Sequence, residues 1–138
     1  MTVAIRYFSR GGNTKKLADA ISSEIGIEAK TVKEKLTEDV DILFLGSSVY
    51  AYGVDDAVKE FIRGIDVKVG KVVSFSTAAL ITSTYKQVNK LLKEKNITMS
   101  EKEFACKGSF GPMHKGKPDE NDVKAVKEFA RQIISESK

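Results

Sequence analysis

Two strand-length segments, DILFLG at 41–46 and KVVSFS at 71–76, constrain this chain more than any other feature. DILFLG is apolar without a break from Ile42 to Leu45, unlike a strand with one wet face, and KVVSFS reads as another buried strand. Runs of this kind are buried on both faces, as in a parallel sheet covered by helices. Three further segments read as strands: VAIRYF at 3–8, the weaker IEAKTV at 27–32, and a short run at about 103–107. Between them the period turns helical. Leu17, Ala18, Ile21 and Ile25 share one face after Asn13, and Val58, Phe61 and Ile62 share one within 54–64, where Gly64 is the stop. Val88, Leu91 and Leu92 point inward from a helix over about 83–95. The last helix follows Pro118, with Asp119 as N-cap, Asp122 three residues on, and Val123, Val126, Phe129, Ile133 and Ile134 as its apolar stripe.

Strand and helix thus alternate throughout, which predicts an α/β fold: a doubly wound, five-stranded parallel sheet with helices on both faces, in one domain spanning 1–138. The strand order chosen is 2-1-3-4-5. That order opens a crevice between the carboxyl ends of strands 1 and 3, where the winding direction reverses.

Composition narrows the class. The single cysteine, Cys106, excludes an internal disulfide and a multi-cysteine metal site, and no secretory signal precedes the first strand. No apolar run approaches the ~20 residues that span a bilayer. These features predict a cytoplasmic protein without membrane insertion. The net charge is +4, but the lysines are dispersed and no nucleic-acid recognition module is present. Nucleic acid is not an expected partner.

In this frame YFSRGGNTKK, Tyr7 to Lys16, sits at the carboxyl end of strand 1 and leads into the positive end of the first helix. A phosphate is its natural occupant. Ser9 and Thr14 supply hydroxyls and Asn13 an amide, Gly11 and Gly12 let the backbone close around oxygens, and Arg10 is either a phosphate ligand or a solvated loop charge. A tight turn with a helix cap would use the same residue types. Neither G-x-x-x-x-G-K-[ST] nor G-x-G-x-x-G is present, which disfavours nucleoside triphosphates and nicotinamide dinucleotides for this loop.

Ile5, Tyr7, Ser9, Gly12, Asn13, Thr14, Ala18 and Ile21 fall where the flavodoxin signature expects their types, and the chain resembles a short-chain flavodoxin over nearly its whole length. The choice of strand order rests partly on this flavodoxin-like resemblance. It implies FMN as cofactor, with Ser9, Arg10, Gly11, Gly12, Asn13 and Thr14 around its phosphate. Two departures stand out: Arg6 occupies a usually apolar strand position, and Gly11 replaces a frequent hydroxyl residue.

The stretch Gly46 to Gly53 resembles the family's flavin-flanking loop, which assigns Ser48, Val49, Tyr50, Ala51, Tyr52 and Gly53 to the cofactor. Tyr50 and Tyr52 suit either an apolar wall for the flavin ring or packing beneath the next helix. In the family a carbonyl of this loop turns toward flavin N5 on reduction, and Gly53 would permit the preceding peptide to rotate. The third loop, from Ser76 through Ile81, matches loosely; Ser76, Thr77, Ala78 and Ala79 are its candidate contacts. It lacks the usual aromatic, and the chain has no tryptophan.

The resemblance implies a redox carrier shuttling electrons between protein partners, with no catalytic residue and no metal of its own. The alternatives are a small FMN-dependent NAD(P)H or quinone oxidoreductase and a flavin-free binding module on the same fold. A receiver domain would need acidic residues after strand 1 and an aspartate ending strand 3, where this chain has Ser9-Arg10 and Gly46-Ser47; a phosphatase would need its cysteine after strand 1. His114, in the 108–118 loop, reads as an exposed loop residue or a flavin or partner contact, and Cys106 as a small buried hydrophobe. The positive charge predicts partners with acidic docking faces and a field that favours an anionic flavin, against local repulsion of that flavin by Asp55 and Asp56 beside the flavin-flanking loop.

Overall fold

A computed structural model describes residues 1–50, 53–78, 84–108 and 116–138. In chain order the elements are β1 (Val3–Tyr7), α1 (Asn13–Ile25), β2 (Ala29–Thr31), β3 (Val40–Tyr50), β4 (Gly53–Val54), α2 (Asp56–Arg63), β5 (Val69–Ala78), α3 (Tyr85–Glu94), β6 (Phe104–Lys107) and α4 (Glu120–Glu136). The two apolar runs become the middle of the sheet. Its order is β2-β1-β3-β5-β6, all neighbours parallel, which is 2-1-3-4-5 when the parallel strands alone are numbered. The short β4 was not foreseen; it pairs antiparallel with the end of β3, Val49 opposite Val54 and Tyr50 opposite Gly53.

The period-2 geometry of β3 explains why its sequence is continuously apolar. Ile42 and Phe44 face one core with Ile5, Leu17, Ile21, Phe75, Val126 and Ile133, the layer of α1 and α4. Leu43 and Leu45 face the other, with Val58, Ile62, Val72, Val88 and Leu92 from α2, β5 and α3. The helix boundaries follow local chemistry. The Asp55 side chain accepts the Ala57 N–H at the start of α2, and Asp119 with Asp122 forms the expected capping box on α4.

Arg6 departs from the apolar pattern yet is buried, facing the β2–β3 connection. Its Nε donates to the Glu34 carbonyl at 2.7 Å and a terminal nitrogen donates to the Ile5 carbonyl at 3.0 Å, so the guanidinium pins the turn after β2. Burial pulls its pKa below the ordinary arginine value, against the opposing charges of Glu34 and Glu28.

Gly46 lies where the first turn of α1 meets the sheet. A Cβ there would overlap the Phe75 ring and stand 2.9 Å from the Thr14 methyl. Gly46→Ala should therefore destabilise the chain by about 1–3 kcal/mol, the usual cost of overpacking a filled core. Urea unfolding of the two chains measures it; an unchanged midpoint would mean that α1 shifts freely on the sheet.

Candidate functional site

The winding reverses between β1 and β3, and the chain leaves β1 there through the loop Phe8 to Gly12. The Ser9 Oγ accepts the Gly12 N–H at 3.0 Å, and Gly12 takes a left-handed φ of 89° that only glycine adopts without strain. The helix α1 starts at the next residue, with no side-chain cap and no acidic residue in its first turn. Among the described residues no acceptor meets the N–H groups of Thr14 and Lys15, which are orphan donors of a helix start. A Cβ placed on Gly11 or Gly12 would meet nothing within 4 Å, so the outer face of the loop is open.

Beneath the loop lies a layer of hydroxyls. Thr14 Oγ1 shares hydrogen bonds with Ser48 Oγ at 2.6 Å and with Thr77 Oγ1 at 2.9 Å, and the Thr14 side chain is fully buried. Ser47 Oγ is likewise paired with Thr84 Oγ1 at 2.9 Å, joining β3 to the residue before α3. The predicted second and third loops are for this reason largely strand: β3 continues through Ser47 and Ser48 to Tyr50, and β5 through Ser76 and Thr77 to Ala78. Hydroxyls that find partners can extend a buried strand past its apolar run.

The structure thus gathers Ser9, Arg10, Gly11, Gly12, Asn13, Thr14, Ser48, Ser76, Thr77 and Ala78 at one end of the sheet. The first four form the open loop, whereas Thr14, Ser48, Ser76, Thr77 and Ala78 are buried below it. Asn13 is half-buried against Gly108, where an added Cβ would stand 2.8 Å from the Asn13 side-chain nitrogen. Of Val49, Tyr50 and Gly53 the strand pairing is described. Ala51, Tyr52, Ala79 and His114 lie outside the described residues.

Arg10 has a partner that sequence reasoning did not assign. Its Nε and a terminal nitrogen donate to Asp55 Oδ2 at 3.0 and 2.7 Å, and its guanidinium carbon lies 5.9 Å from the centre of the Phe8 ring. Asp56, almost fully exposed, has Lys59 at 3.7 Å. Both aspartates expected to repel an anionic flavin therefore have a cation beside them. The Cys106 thiol is pushed up to about 12 by burial first and the nearby Asp122 carboxylate next, which favours the protonated thiol; the residue is half-buried against the layer of α1 and α4 rather than fully buried as the sequence reading had it.

The comparisons settle the family. The sequence profile of the flavodoxin domain matches residues 4–111, the span from β1 into the segment after β6. This chain belongs to the flavodoxin family. An uncharacterized protein of Methanocaldococcus jannaschii, MJ0298, is 29% identical over 136 residues, covering 88% of this chain and 90% of its own. An archaeal flavodoxin structure superposes with a TM-score of 0.78 at 16% identity, covering 99% of both chains. Oxidised Flavodoxin 1 of Bacillus cereus gives 0.70 at 15% identity, with 98% of both chains covered. This flavodoxin-family chain shares their fold along its length, and among its described residues no helix is long and apolar enough to cross a membrane.

Proposed function

We propose that this flavodoxin-family chain is a single-domain, cytoplasmic electron carrier that binds FMN at the carboxyl end of β1 and β3. The observation that carries the reading is the start of α1: an uncapped helix N-terminus with orphan N–H donors, preceded by two glycines whose outer faces are open. Such a site suits a phosphate dianion, since the helix dipole and the N–H groups act together. Ser9 supports it further. Its oxygen accepts from Gly12, which leaves its own O–H to donate outward.

In this reading Ser9, Gly11, Gly12 and the first-turn amides hold the phosphate, while Thr14, Ser48 and Thr77 act from below by fixing where those amides point. Val49 to Gly53 and Ser76 to Ala79 flank the ring. When bound, FMN supplies one- and two-electron chemistry, and the polypeptide orients it and limits water access.

Charge favours acidic protein partners. Lys86, Lys90 and Lys93 recur along the exposed side of α3, and none of the three forms an ion pair among the described residues. Opposite charge steers encounter and is screened by salt. Electron transfer with an acidic carrier protein should slow as ionic strength rises in stopped-flow mixing, and a rate indifferent to salt would exclude this docking mode.

The cofactor assignment is tested by titrating apoprotein with FMN and with riboflavin, which lacks the phosphate. FMN should bind at least about tenfold more tightly, because charge-assisted hydrogen bonds to a phosphate each contribute about 1.5–3 kcal/mol. Equal affinities would remove the phosphate cradle from the account.

A further inference from the structure

The Arg10–Asp55 pair joins two loops that are 45 residues apart in sequence and lie on either side of the switch point. Arg10 belongs to the loop before α1, and Asp55 follows directly on β4, the strand that returns from the second loop. Asp55 is anchored twice. Its Oδ1 accepts the Ala57 N–H at 2.9 Å as the cap of α2, while Oδ2 takes both Arg10 nitrogens, and its side chain is only 8% exposed. Arg10 in turn lies over the Phe8 ring, which packs against the core layer of α2 and α3. The carboxylate is therefore a rigid post, and the loop is tied to it.

We infer that Arg10 is a positioning residue: through Asp55, the cap of α2 directly after β4, it holds the phosphate loop at a fixed distance from the β4–α2 border of the proposed flavin site before the cofactor arrives. This rests on the FMN reading above. A loop ordered before the ligand arrives lowers the entropy lost on binding, which raises affinity without any direct contact. Arg10 acts on the cofactor as a whole, in contrast to the sequence expectation that it touches phosphate or hangs in solvent.

The two roles separate cleanly with riboflavin. Arg10→Ala, Asp55→Asn and the double variant are compared for binding of FMN and of riboflavin, with thermal unfolding of each apoprotein alongside. Asn at 55 can still accept from Ala57, so α2 keeps its cap. A clamp weakens both flavins by the same factor, roughly threefold to tenfold for a charge-assisted pair of this exposure, and the double variant is no weaker than either single one. Riboflavin carries no charge, so its affinity for the native chain should fall with added salt as the pair is screened, and its affinity for Arg10→Ala should not. A merely structural loss would shift unfolding without producing that salt difference.

Weakening of FMN alone in Arg10→Ala would make Arg10 a phosphate ligand and overturn the clamp. Unchanged affinities, or additive losses in the double variant, would overturn it as well. A native chain that binds neither flavin would instead overturn the cofactor reading on which the clamp stands, which keeps the two failures distinguishable.

Discussion

The buried hydroxyl of Thr14, shared between Ser48 on β3 and Thr77 on β5, fixes where the first helix begins. An unpaired hydroxyl in that position would cost roughly 1–3 kcal/mol, so the three residues are bound to meet. Gly46 makes the meeting possible by leaving room for the Thr14 methyl and the Phe75 ring. With the helix start held from below, its first amides face the open side of the loop. The open loop before α1 is in this sense positioned by the strands beneath it.

Charge is arranged around this point in pairs. Arg10 neutralises Asp55 and Lys59 lies beside Asp56, so the immediate border of the switch point carries little net charge. What remains positive is the field of more distant residues, the exposed α3 lysines among them. In the proposed function the local pairs act on the flavin through short distances, whereas the wider field acts on partners during approach. One sequence thus separates the two effects spatially.

The parallel sheet and both helical layers were legible in the sequence because strand and helix alternate and the helices keep a clean stripe, whereas the strand order came partly from the family resemblance. Capping chemistry carried equal weight: Asp119 and Asp122 start α4 as their spacing indicated. The strand ends were not legible. Ser47, Ser48 and Thr77 look like loop residues by composition, and only their side-chain partners show that their hydroxyls are satisfied inside. The Arg10–Asp55 pair was hidden for a related reason, since a contact 45 residues apart leaves no local pattern. Arg6 shows the same limit, a charge in a strand whose partner is a carbonyl in a distant turn.

The claim at the centre of this account is that the start of α1 holds an anion. Amide chemical shifts of the 15N-labelled apoprotein, recorded with saturating FMN and again with saturating riboflavin, report it most directly. The difference between the two spectra isolates the phosphate. It should be concentrated at Gly11, Gly12, Asn13, Thr14 and Lys15, and a difference located at α2 or α3, or none at all, would contradict the account.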